Sequence, residues 1–136
     1  MSAAQSSHSS ITYLPRTLQR AEQAVRCAPF RPLLYEAMGQ EGVSLKAIAG
    51  SAGVNHQFTR RAISELAVEN DLLWLIQVGV LRREVDGQGL TDSFRLTPLG
   101  RALLRQWERD GFPRPPSWLM RLRNFILRWV PIPGIQ

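Results

Sequence analysis

The sequence predicts a mainly α-helical domain carrying one small β-hairpin, and three stretches predict it. Between Ser44 and Leu66 two short helical patterns meet at a tight turn. Ser44 is a good N-cap for Leu45, Ile48 and Ala49; Gly53 stands where a helix-ending C′ glycine belongs. Asn55 can cap a second helix with Phe58, Ala62, Ile63 and Leu66 on one face. From Leu81 the period changes to two. Leu81, Arg83 and Val85 alternate with Arg82 and Glu84, Asp86-Gly87-Gln88-Gly89 supplies turn residues, and Phe94 and Leu96 alternate with Ser93, Arg95 and Thr97. Thr97-Pro98 then caps and opens a helix whose Leu99, Leu103 and Trp107 form one stripe.

Taken in order, residues 1–14 are a leader whose Ser/Ala/Gln-rich start has no apolar period and reads as disordered. Pro15 to Cys27 reads as a helix, with Leu18, Ala21, Val25 and Ala28 at helical spacing and Pro29 behind it. A second helix starts at Pro32, carries Leu33, Leu34, Ala37 and Met38, and ends at Gly39; Val43 is then a short strand that pairs with the hairpin. The domain spans residues 15–110. Gly111 to Pro116 is a Pro-rich linker, and residues 117–136 form an amphipathic helix and tail.

With 136 residues and 44% hydrophobic content, the chain supports one core of about 90–100 residues. The net charge of +6 is unevenly placed. Residues 111–136 hold four arginines and no acid, whereas the preceding 110 residues hold 13 basic and 11 acidic side chains, or +2. The sequence pI near 11.0 therefore describes the tail more than the domain. A single cysteine, Cys27, excludes an intramolecular disulfide, and Met1 to Ser10 lacks the charged and apolar regions of a signal peptide, so a cytoplasmic chain is expected. The most apolar run, Leu72 to Leu81, falls well short of the ~20 residues that span a bilayer.

The order helix, turn, helix, hairpin, helix resembles the winged helix-turn-helix of small bacterial transcriptional regulators over roughly residues 32–108. Its most specific fragment is Phe94-Arg95-Leu96-Thr97-Pro98-Leu99-Gly100-Arg101-Ala102-Leu103-Leu104, similar to a second wing strand and the helix behind it. Val78-Gly79-Val80-Leu81-Arg82-Arg83 resembles the end of a recognition helix entering the first wing strand. One spacing departs from the family: Val54 to Gly79 is 79 − 54 = 25 residues, about two helical turns more than one recognition helix needs. Glu69-Asn70-Asp71 interrupts the apolar stripe, so this segment reads as two helices, about 56–69 and 71–78. The whole chain also resembles a small uncharacterised family of cyanobacterial winged-helix-like proteins.

The resemblance implies a regulator of transcription that binds double-stranded DNA, commonly as a homodimer on a palindromic site. Asn55, His56, Gln57, Thr59, Arg60 and Arg61 would open the groove-entering helix. Asn and Gln suit adenine edges, Arg forks onto guanine, and helix N-terminal amides favour phosphate. Arg82 and Arg83 would reach phosphate beside the wing, although Glu84, Asp86 and Asp92 put acids on the same hairpin. The competing reading is a solvated polar face on a module that docks a protein or a second copy. A third is a dimerisation module like the helical domain ahead of some methyltransferases. Leu72, Leu73, Trp74, Leu75 and Ile76 are apolar on every side of a helix and belong to the core or to a dimer seam.

In the tail, Trp118, Leu122, Phe125 and Trp129 fall on a narrow arc with Arg121 and Arg128 opposite; Ser117 can cap this helix and Pro131 stops it. Basic residues with two tryptophans suit an anionic membrane surface, or the same stripe packs back onto the domain or onto a partner. A catalytic constellation is missing. His8 and His56 have no ligand-spaced companion, Cys27 has no histidine near it in sequence, and Gly87 and Gly89 lie at a hairpin tip instead of between a strand and a helix. The expectation is a non-enzymatic protein without metal or cofactor.

Overall fold

The computed structural model describes residues 13–113 together with Phe125, Ile126 and Arg128. Helix α1, Pro15–Cys27, buries Ala21, Ala24 and Val25, and α2, Pro32–Gln40, buries Leu34, Tyr35 and Met38; both begin at a proline, whose missing N–H costs nothing in a first turn. Strand β1, Val43–Ser44, runs directly into α3, Leu45–Ile48, where Ser44 Oγ accepts from the Ala47 N–H at 3.2 Å. Ala49 is extended and Gly50 left-handed at φ 63°, so a new helix, α4, Gly50–Asn55, starts there.

The expected course of the chain fails over the next ten residues. Gly53 lies inside α4, and Asn55 closes that helix instead of capping the next. Gln57 adopts φ 64°, and the Phe58 and Gln57 N–H groups donate to the Gly53 and Val54 carbonyls at 2.8 and 3.0 Å, a Schellman closure with a non-glycine C′ residue. The chain then leaves helical geometry. Thr59 bridges to Phe30, the Arg31 N–H donates to the Phe58 carbonyl at 2.8 Å, and the Gly50 N–H donates to the Ile63 carbonyl at 2.7 Å. One helix follows, not two: α5, Glu65–Gln77, capped by Ser64 Oγ on the Ala67 N–H at 3.2 Å. Glu69-Asn70-Asp71 does not interrupt it. Its end is a second Schellman closure, with Gly79 at φ 92° and the Val80 and Gly79 N–H groups on the Leu75 and Ile76 carbonyls at 2.9 and 3.0 Å.

That closure turns the chain back into the hairpin β2, Leu81–Asp86, and β3, Gly89–Leu96. The sheet is antiparallel throughout in the order β1-β3-β2, with Val43 opposite Phe94 and Leu81 opposite Leu96. The pairing shifts between Arg83 and Val85, and beyond that irregularity Val85 and Leu90 pair while facing solvent. Helix α6, Pro98–Asp110, is capped as expected by Thr97 Oγ1 on the Gly100 N–H at 3.1 Å.

The core lies between the helices and the inner face of the sheet, with Phe94, Leu96, Leu81, Leu72, Leu75 and Leu103 almost fully buried. Beside it Tyr35 meets Trp107 edge-on at 5.6 Å, and Phe112 closes the group at 5.9 Å from Tyr35 and 5.1 Å from Trp107. Phe112 thus packs against the core, although it falls in the stretch read as linker. The molecule is mainly helical with a small three-stranded antiparallel sheet, an arrangement compatible with a winged-helix-like fold. No helix among the described residues is long and apolar enough to cross a membrane.

Candidate functional site

The six residues expected to open the groove-entering helix do not share one. Asn55 is the last residue of α4; His56 stacks on Phe58 at 5.3 Å, with Nδ1 3.2 Å from the Ala47 carbonyl oxygen. Gln57 is exposed at the left-handed position, and Thr59 is buried at the bridge to Phe30. Arg60 and Arg61 are exposed in the irregular segment ahead of α5. The expectation that these six open one helix is therefore corrected: Asn55 ends α4, and the Gln57 closure and the Thr59 bridge keep the residues after it out of the next helix.

Arg82 is exposed on β2, opposite Arg95 in the ladder. Arg83 is engaged within the domain. Its guanidinium donates to the Thr91 carbonyl at 3.1 Å, lies 4.9 Å from the centre of the Phe94 ring, and pairs with Glu69 at 3.5 Å. Arg95 is held likewise, by Glu84 at 3.2 Å and the Gln40 carbonyl at 3.1 Å.

The helix that directly precedes the hairpin presents a different chemistry from the one expected. Over Glu65–Gln77 it carries Glu65, Glu69 and Asp71 and no lysine or arginine. Val68, Leu72, Trp74 and Leu75 face the core, while Leu66, Asn70, Leu73 and Gln77 face solvent at i, i+4, i+7 and i+11. Leu66 is 68% and Leu73 42% exposed, too much for core residues on so short a helix. At the hairpin tip Val85 and Leu90 are 68% and 74% exposed. Sequence reading misses this face because it starts the helix at Asn55; the Ser64-Glu65 pair, a cap followed by an acid in the first turn, is the local signal that could have found it.

Of the tail residues expected to bind a membrane or partner, Trp118, Arg121, Leu122 and Trp129 lie outside the described residues. Phe125 and Arg128 are helical, with Phe125 more than half exposed. Arg128 reaches back to α5 and pairs with Asp71 at 2.8 Å, both side chains being largely buried at 16% and 22% exposure. The Asp71 carboxylate also acts on Tyr35, whose hydroxyl is pushed well above the ordinary tyrosine range by burial first and by that negative charge second.

Over residues 11–128 the sequence matches the Npun_F0494-like family. The chain belongs to that family. The Npun_F0494-like match extends from before α1 through the domain to Arg128, so it takes in the tail residue that pairs with Asp71 as well as the helices and hairpin. No curated protein and no solved structure matches this Npun_F0494-like chain. Among its described residues no group of three or more His, Cys, Asp or Glu side chains is placed to hold a metal ion.

Proposed function

We propose that the protein is a non-enzymatic winged-helix module whose α5 and hairpin, the elements that read DNA in that fold, present a surface for a protein. The order α2, β1, α3–α4, α5, β2, β3 with strand order β1-β3-β2 supports the winged-helix assignment. The observation that carries the functional reading is the composition of α5: three acids, no cation and two solvent-facing leucines. A helix entering a DNA groove approaches phosphates within reach of its flanks, and α5 brings no cation to them: Glu69 and Asp71 are paired with Arg83 and Arg128, and Glu65 adds a negative charge. Exposed leucines beside a polar rim favour another protein.

A photoreactive amino acid placed at Leu66 in the full chain, in cells that express it, tests this reading. Covalent protein adducts are expected at position 66 and not at the exposed Glu36 on α2. Titration of a labelled DNA duplex at low salt is expected to show no saturable binding.

Duplex DNA is the second reading, and it rests on Arg60, Arg61 and Arg82, which are exposed with no ion pair among the described residues. If all three met phosphate, log K would fall against log salt with a slope of about −2.7, from ~0.9 per contact. Binding of that kind, lost in Arg60→Ala/Arg61→Ala and kept in Leu66→Glu, would replace the protein-surface reading.

A further inference from the structure

We propose that the outward stripe of α5 pairs antiparallel with the same stripe on a second copy of the chain. The proposal rests on the reading of α5 as a protein-binding surface and names the occupant.

The stripe fits itself. Leu66 and Leu73 lie at equal distances on either side of the point between Glu69 and Asn70. A two-fold axis through that point sets Leu66 against the partner's Leu73 and Leu73 against the partner's Leu66, the reciprocity an isologous interface requires. Asn70 then lies next to the partner's Asn70. A carboxamide offers both a donor and an acceptor, so two of them satisfy each other, and a single polar pair amid leucines fixes one register.

Charge permits the approach and adds to it. The stripe itself is uncharged, and Glu69 at its edge is already paired with Arg83, so two copies meet without facing bare carboxylates at the axis. The last turn of α5 has no basic residue, which leaves the negative end of the helix uncompensated. Arg60 and Arg61 are exposed just ahead of the N-terminal end. In an antiparallel pair they come to the C-terminal end of the partner's α5.

The hairpin runs beside α5. The Schellman turn sends β2 back along α5, and the Arg83–Glu69 pair marks where the two run side by side. From Glu69 to Leu66 is about 4.5 Å along the helix, and from Arg83 to Val85 about 6–7 Å along the strand. Val85 and Leu90, paired beyond that point, are a second exposed apolar pair, on the hairpin.

Sedimentation of the full chain between about 1 and 100 μM tests the proposal, with Leu66→Glu, Leu73→Glu and Asn70→Cys variants. A dimer is expected. Either glutamate places two carboxylates in the contact by symmetry and should raise the dimer dissociation constant at least about 100-fold, with melting unchanged at concentrations where the parent is monomeric, since both leucines face solvent in the single chain. Under mild oxidation Asn70→Cys should form an interchain disulfide much faster than Glu36→Cys. A dimer indifferent to both glutamates, or Asn70→Cys cross-linking no faster than Glu36→Cys, overturns the proposal. A monomer at 100 μM whose position 66 captures a different protein overturns it while sparing the protein-surface reading. A monomer with no capture removes both.

Discussion

Tyr35 offers the sharpest test of the packing, because its ring and its hydroxyl act in opposite directions. The ring is fully buried against Trp107 and Phe112, whereas the hydroxyl has no hydrogen-bond partner among the described residues. Tyr35→Phe keeps the ring volume and removes a buried O–H group that finds no partner among the described residues, a burial penalty of about 1–3 kcal/mol. The variant is therefore expected to be at least as stable as the parent at neutral pH, and up to that much more stable. The pH dependence has a definite sign. Burial, and then the Asp71 charge, raise the Tyr35 pKa in the folded state. Below the ordinary tyrosine value of about 10 both states hold the proton, and its contribution is fully present. Above that value the unfolded chain releases the proton while the folded chain keeps it, so stability falls by about 1.4 kcal/mol per pH unit until the folded hydroxyl itself ionises. Tyr35→Phe should remove that share of the alkaline decline. Urea melts at pH 7 and at intervals from pH 9 to 11 measure both effects. A loss of more than about 1 kcal/mol at pH 7 would show that the hydroxyl is hydrogen-bonded, an unchanged alkaline slope would show that it ionises as readily in the folded chain as in the unfolded, and either result refutes this account.

Gln57→Gly is expected to stabilise by about 0.5–1 kcal/mol in thermal melts, because Gln57 holds a left-handed C′ position at φ 64° that glycine adopts without strain. Leu96→Ala should cost about 2–5 kcal/mol from a nearly fully buried site. Arg95→Ala should cost about 0.5–1.5 kcal/mol in the same denaturant series, since it loses both Glu84 and the Gln40 carbonyl. At Gly100 an added Cβ would run into the Val80 carbonyl and reach 3.0 Å from Leu96 Cδ2, so Gly100→Ala should lose about 1–3 kcal/mol as α6 is pushed off the hairpin. Asp71→Asn and Arg128→Gln should each lower the melting point, and a double-mutant cycle should return a coupling of about 0.5–1 kcal/mol that shrinks in high salt; zero coupling would mean that Arg128 does not tie the tail to α5.

The parts of the fold legible in the sequence are those whose causes are local. Ser44 and Thr97-Pro98 carry their caps within three residues, the Gly79 turn has its glycine, and the alternation around Phe94 and Leu96 sets the inner face of β3. The start of α5 is hidden because Phe58, Ala62, Ile63 and Leu66 imitate a helical stripe. What removes them from a helix is a bridge from Thr59 to Phe30, 59 − 30 = 29 residues earlier, and a bond from the Gly50 N–H to Ile63. Periodicity contains neither contact. The same holds for the site: nothing around Arg83 in the sequence indicates that Glu69 and the Phe94 ring occupy it.

The positive charge of the chain, which first points to nucleic acid, has a different meaning once its partners are known. Arg83, Arg95 and Arg128 lie on Glu69, Glu84 and Asp71, so Arg83 ties the hairpin to α5, Arg95 ties β3 to β2, and Arg128 is tied to α5. Two of those three acids sit on α5. Neutralising them internally leaves that helix with one further acid, Glu65, and a face of Leu66, Asn70, Leu73 and Gln77 that offers neither attraction to phosphate nor repulsion of a like surface. Attraction to DNA then falls to Arg60, Arg61 and Arg82 at the margins, where phosphate contacts bring affinity without sequence. The solvent-facing leucines are the groups with most to gain from burial, at about 25 cal/mol per Å² of apolar surface removed from water. On the proposed reading a protein is the partner of α5, and a carboxylate introduced by Leu66→Glu or Leu73→Glu is the perturbation to which the surface should respond most.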